Sequence, residues 1–499
     1  MKMRKPLVAC ILLLACSANA EIRMGTPFSD GAVLQRGMAV PVWGTVSPAK
    51  GAVTVEFAGQ VKSANVDAAT GRWQVALEPM GASKESRTMT VSTSTEKVEI
   101  GDILVGEVWF ASGQSNMECP IWGPKTRFRD MKSGFMADMT RLPFVRYIKS
   151  PKRWSVEPVA FIDTKWHKFD PEGLKIAYHG GGGLSAVAFY YARELYLALD
   201  IPIGIVDASF GGTNIDAWTP RSGYDGCDGR LKFVADYPVK ARWNAETDKL
   251  GAINRDRQQP TVLWNGMVAA YAPMAMRGFI WYQGCNNADL GEDDLYSARL
   301  HALYEGWRKE FMNPNLKHYI VQLAPWKQNW LGICMAQNKY VSEEKNAAIA
   351  VTADSGNFFD IHPNDKEIVA KRLVLHALKR DYGFDLPEVD SPVCRSVEFA
   401  DGKATLHFDH VKSWYVYAPD RSRNPAFELA GEDGEWQPAK VVNFREDYID
   451  EPDIVLQSEK VANPLKVRYM GRPRTSGTMY NEASLPLGPF EFPHGSPAR

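Results

Sequence analysis

Residues 21 to about 100 alternate apolar and polar positions in short runs, at 40–43, 53–57, 73–77 and 88–91, separated by turns such as Ala68-Ala69-Thr70-Gly71. Period-two runs at this spacing, without helical periodicity, predict a small β-sandwich. Near Gly101 the pattern changes. A buried-strand run at 102–111 ends in Ser112-Gly113-Gln114-Ser115. From Ser185 to Leu199 the apolar residues Val187, Tyr190, Tyr191, Leu195 and Ala198 share one stripe, which predicts a helix. A strand at 203–208 runs into Ser209-Phe210-Gly211-Gly212, and another at 277–282 into Gln283-Gly284-Cys285-Asn286-Asn287. Residues 295–311 read as a helix, 319–323 and 348–353 as strands. The last helix is 364–379, with Ile368, Val369, Leu373 and Ala377 facing inward. Strands alternating with helices predict an α/β domain at 101–385, a parallel sheet wrapped by helices. After about 385 the β pattern returns at 396–399, 404–408, 426–429, 454–457 and 465–469, predicting a C-terminal β domain at 386–499. No internal repeat and no low-complexity tract interrupts this order.

The first twenty residues stand apart. Lys2, Arg4 and Lys5 precede the apolar run 7–15, and Ala18-Asn19-Ala20 offers a small-x-small cleavage site before Glu21. This is the pattern of a secretory signal peptide, too short to span a bilayer. Leu13-Leu14-Ala15-Cys16 also resembles a lipobox, so lipid anchoring through Cys16 competes with a soluble periplasmic or extracellular protein. No later stretch approaches eighteen uninterrupted apolar residues, so no transmembrane segment is expected. Lys+Arg is 58 and Asp+Glu 59 in 499 residues. That balance offers nothing to nucleic acid. Beyond residue 20 the cysteines are Cys119, Cys227, Cys285, Cys334 and Cys394, far apart and without a CxxC pair. They predict neither a zinc site nor a disulfide framework.

Each predicted strand of the central region is followed by a Gly- or Asn-bearing polar loop. Open α/β sheets bind ligands at the carboxyl ends of their strands, so Ser115, Gly212 and Asn287 are candidates to converge there. A serine in a tight turn at a strand end exposes a hydroxyl, which becomes a nucleophile only with a base. Ser115 as a helix cap is the equal alternative at this point. The GxSxG elbow is absent, since position 117 is Met. Among nine histidines, His362 stands out in Asp360-Ile361-His362-Pro363, where a carboxylate two residues away can orient an imidazole. Ordinary capping at the helix start is the competing reading, and His376, inside the last helix, reads as a packed residue. Gly211-Gly212 can present a backbone N–H to an oxyanion and Asn287 its amide, although turn geometry accounts for both as well.

Taken together these blocks resemble the SGNH-hydrolase superfamily and, within it, the sialate O-acetylesterase family. Three stretches carry the likeness: Gly113-Gln114-Ser115-Asn116-Met117-Glu118, the run from Ala208 to Trp218, and the run from Trp281 to Ala288. Asp360-Ile361-His362-Pro363 with Lys366 completes it, and softer similarity extends over nearly the whole chain past residue 20. The resemblance implies an SGNH-type parallel sheet with helices on both faces, flanked by two β-sandwich-like domains. It implies Ser115 as nucleophile, His362 as general base and then acid, and Asp360 as the triad carboxylate. The N–H groups of Ser115 and Gly212 and the side chain of Asn287 form the implied oxyanion hole, with Gly211 sharing the glycine role. No metal or organic cofactor is implied.

One position departs from the pattern. The family's third block usually reads Gly-Glu-Ser-Asn, and here Cys285 stands where the Glu would be. That puts in doubt any contact the Glu supplies, not the Ser–His chemistry. A thiolate nucleophile needs an electropositive setting, which the sequence around Cys285 lacks. The implied activity is removal of O-acetyl groups from sialic acids through an acetyl-serine. An acetylesterase for another glycan, such as the hemicellulose xylan, is the alternative, and a catalytically silent glycan-binding protein a third. Trp326 and Trp330 read equally as a sugar-stacking platform or as core.

Overall fold

The computed structural model describes residues 21–121, 141–170, 173, 183–242, 244, 255–289, 291–417, 426–443 and 448–493. The signal-peptide segment and Cys16 lie outside these residues.

The centre is a sheet in which Val145–Lys149, Ile203–Ser209, Lys97–Gly113, Gly278–Tyr282, Lys317–Val321 and Ala347–Ala350 lie side by side in that order, all parallel. The short His167–Lys168 strand closes one edge antiparallel. Successive residues of the middle strand show that both faces are covered. Trp109 meets Tyr191 of the helix Ala186–Leu199 at a ring separation of 5.2 Å. Phe110, pointing the other way, meets Trp307 of the helix Asp293–Glu310 at 5.2 Å. Strands buried on both faces read as continuous apolar runs, which is why five strands of this sheet, from Ile203–Ser209 through Ala347–Ala350, were visible in sequence.

Lys97–Gly113 is a single strand of 17 residues. Its first half pairs antiparallel with Ser83–Ser92 and its second half lies in the parallel sheet. The sequence boundary at 100/101 therefore falls inside a continuous strand. Glu107, fully buried in the same strand, binds Gln35 and Arg36 from the N-terminal region and Arg277 from the central one. The N-terminal region and the central sheet accordingly share one hydrophobic core.

Among the described residues the C-terminal region builds three small antiparallel sheets around Phe408, Trp414, Phe427, Tyr469 and Phe490. This second core closes on Val351 and Ala353, just past the last central strand. Gly477 N donates to Ala353 O at 2.8 Å and Arg474 N to Trp326 O at 2.8 Å. The C-terminal region thus sits on loops at the carboxyl edge of the sheet. Among the described residues no helix is long and apolar enough to cross a membrane.

Candidate active site

Strand register brings the blocks together. Gly113 is level with Ser209 on one side and Tyr282 on the other, so the three chains leave the sheet at the same height. Gly113 has φ +139°, and a side chain there would begin 2.3 Å from Tyr282 O, so only glycine allows the close crossing. Gln114, buried, then fastens the turn. Its N–H donates to Tyr282 O at 3.0 Å, and its Oε1 accepts from Gly284 N and Asn286 N at 3.3 Å each.

Ser115 is the first residue of the short helix Ser115–Glu118, whose N-cap is Gln114. The capping alternative does not describe it: the half-buried Ser115 hydroxyl has no hydrogen-bond partner among the described residues. Gly211 presses against it, since a Cβ on Gly211 would lie 3.3 Å from Ser115 Cβ. Gly211 N–H is already taken, donating to Glu118 Oε2 at 2.6 Å. Gly212 differs. It has φ +67°, and its N–H meets no acceptor among the described residues. The two neighbours therefore divide the work, one for close packing and one with a free donor.

The histidine loop is tied to the serine turn through the residues beside each. Asn116 Nδ2 donates to Ile361 O at 3.1 Å, and Lys366 Nζ donates to Asn116 Oδ1 at 2.6 Å. Asp360 Oδ1 lies 3.0 Å from His362 Nδ1 and also accepts from His362 N at 3.0 Å, fixing the ring from two sides. The imidazole is 12% exposed. Burial pulls its pKa below the ordinary value, against the opposing pull of Asp360; Lys366 lowers it further and Glu118 raises it. The net shift favours the neutral, proton-accepting form of the ring. Ser115 Oγ and His362 are not hydrogen-bonded to each other in this structure.

Asn287 is fully buried in a polar network. Its Oδ1 accepts from Ile215 N at 3.2 Å and Gln283 Nε2 at 2.8 Å, while its Nδ2 donates to Glu292 at 3.0 Å. Tyr296 and Arg299 extend the network through Gln283 and Glu292. Asn287 thereby joins the second and third blocks. Its neighbour Asn286, half-buried, shares with Gly212 a bond from one group: Gln258 Nε2 reaches Gly212 O at 2.9 Å and Asn286 Oδ1 at 3.3 Å. Gln258 lies outside every motif, and nothing in the sequence marked it.

Cys285 is buried, and burial, helped by Asp289, pushes its thiol up to about 12. A protonated thiol of this kind is no nucleophile. Among the described residues Cys227, Cys285, Cys334 and Cys394 form no disulfide. Trp330 is buried, and the half-buried Trp326 tilts 42° from it with Lys327 over its ring. Trp330 is therefore core, not an open platform.

Residues 105–365 match the carbohydrate esterase family of sialic acid-specific acetylesterases. The sialate O-acetylesterase of Homo sapiens is 28% identical over 455 residues, 83% of this chain and 81% of its own. That of Mus musculus is 26% identical over 494 residues, 88% of this chain and 89% of its own. A solved carbohydrate acetylesterase from Xanthomonas citri shares the fold with a TM-score of 0.78 at 30% identity, covering 94% of this chain and 99% of that one.

Proposed function

Since the chain belongs to the sialic acid-specific acetylesterase family of carbohydrate esterases and is a carboxylic ester hydrolase of O-acetylated sugars, we propose that it works as a serine esterase on O-acetylated sialic acids. The observation that carries this is an unbonded Ser115 hydroxyl in a turn tied through Asn116 to the loop of His362, whose imidazole Asp360 holds. Ser115 Oγ attacks the acetyl carbonyl carbon while His362 takes its proton, the two closing to hydrogen-bond distance around substrate. The tetrahedral oxyanion is met by the N–H groups of Ser115 and Gly212. One of Asn287's two amide hydrogens remains after Glu292 and is the third donor. The bond to the sugar oxygen then breaks, and the imidazolium proton goes to that oxygen. Water, deprotonated by His362, attacks the acetyl-serine, and acetate leaves as the serine regains its proton. The segment 1–20 adds export to this reading.

Acetate release by residues 21–499 from O-acetylated sialic acid, acetylated xylan and an aryl acetate tests the substrate. Faster turnover of the sialic acid is expected. The carbohydrate acetylesterase relative, similar over 99% of its length, favours a second reading with another glycan, which preference for xylan would establish. Silence on all three would sink the esterase mechanism.

The pH profile follows from His362. Its depressed pKa keeps the base form present to lower pH, so the acid limb of kcat/KM is expected below the ordinary imidazole range of about 6.5. Asp360 raises that pKa, so Asp360→Asn should move the limb further down while lowering kcat. A limb that stays put in the variant would separate Asp360 from the titrating base.

A further inference from the structure

Beside Gly212 stands a cation that the acyl-transfer chemistry above does not use. Arg257 lies in the short turn Asp256–Gln258. The turn is locked to the site: Gln258 binds Gly212 O and Asn286 Oδ1, and Asn214 Nδ2 donates to Gln258 O at 2.9 Å. The Arg257 guanidinium lies over the Phe210 ring, Cζ 4.9 Å from its centroid. Its Nη2 is 3.4 Å from where a side chain on Gly212 would start. Its Nε is buried without a hydrogen-bond partner, and the guanidinium engages no carboxylate among the described residues.

The acid nearest in charge terms is Glu118, and it is occupied, by Lys152 and by Gly211 N–H. Lys152 also approaches the Phe210 ring, at 5.3 Å. Two cations therefore flank Phe210, one neutralised by Glu118 and one not. A partly buried, uncompensated guanidinium is costly unless something supplies the opposite charge. Its planar fork matches a carboxylate through two parallel N–H···O bonds.

We propose that Arg257 is the specificity residue that receives the carboxylate of an acidic acetylated sugar, beside the glycine that faces the reacting ester. The inference rests on the sugar-ester reading of the Ser115 site and sharpens it, because sialic acids carry this carboxylate and a xylan backbone does not. A guanidinium that served the oxyanion instead would act on every ester alike.

The test is binding, read by titration calorimetry on residues 21–499, so that it stands apart from whether Ser115 turns anything over. The probes are N-acetylneuraminate and its methyl ester, which differ in the charge and one methyl group. The unchanged protein is expected to bind the acid at least about tenfold more tightly than the ester, with the gap narrowing in high salt. Arg257→Gln should bring the two affinities together, and Arg257→Lys, which keeps the charge and loses the fork, should restore part of the gap. A gap that persists in Arg257→Gln, or no gap in the unchanged protein, overturns the proposal. Binding of the acid without hydrolysis of its O-acetyl ester would leave the carboxylate site standing and remove the sialate substrate.

Discussion

Ser115→Ala is expected to abolish acetate release, with kcat falling by roughly 10⁴-fold or more, as loss of a nucleophile that acts as a unit with its base does. What makes the prediction sharp is that the same change should cost almost no stability. The Ser115 hydroxyl holds nothing in place. The turn is kept by backbone bonds that alanine retains, Glu118 N to Gln114 O and Cys119 N to Ser115 O, both 2.9 Å. Alanine is also the best helix former at an interior or first-turn position. The melting transition should therefore stay within about 0.5 kcal/mol of the unchanged protein. Residual activity above a few per cent would remove Ser115 from the nucleophile's place. Lost activity accompanied by a lower melting temperature would mean the hydroxyl is structural after all. His362→Ala provides the companion measurement, since a base and a nucleophile that act together cost about as much singly as jointly.

The blocks of the candidate site were legible because their geometry is written in residue types. A buried strand is a run of apolar residues, its end is a glycine, and the reactive group follows. Gly113 and Gly212 need positive φ, so their identity is dictated by backbone conformation. Elements that carry buried polar groups were not legible. The strand Val145–Lys149 reads VRYIK and looks like surface, yet Arg146 bonds Pro143 O at 2.6 Å and Lys149 pairs with Asp207. The helix Leu331–Glu343 hides for the same reason. Its inward stripe is interrupted by Gln337, fully buried, whose amide spans Val321 O and Leu323 N. Periodicity detects apolar faces and has no way to register a polar side chain whose partner lies on another strand. Arg257 escaped for the opposite reason: an arginine in a loop looks solvated until its neighbours are known. The boundary drawn at 100/101 rests on the change of pattern near Gly101, and the positive φ of Asp102 there lies inside one continuous strand.

Asp207→Ala is expected to be the most destabilising single change near the site, at about 3–5 kcal/mol, the range for removing one partner of a buried ion pair. Asp207 is fully buried two residues before Ser209-Phe210-Gly211-Gly212. Its Oδ2 accepts from Lys149 Nζ at 2.7 Å and from Ser185 N at 2.8 Å, and its Oδ1 from Ser209 Oγ at 2.9 Å. One carboxylate thus fastens the neighbouring strand, the N-cap of the helix Ala186–Leu199 and the start of the glycine loop. Removing it strands the Lys149 ammonium, whose side chain is 6% exposed, with only a 3.5 Å approach to Ser209. Urea unfolding should show the loss as a lower midpoint, and activity should fall with the folded fraction as temperature rises. Lys149→Met in the same background is the discriminating measurement. With the stranded charge gone, the pair of changes should cost less than the sum of the two single ones, a coupling of about 0.5–3 kcal/mol. Strict additivity would mean that Asp207 acts through Ser185 and Ser209 alone, and that the ion pair contributes nothing to holding Gly211 against the serine turn.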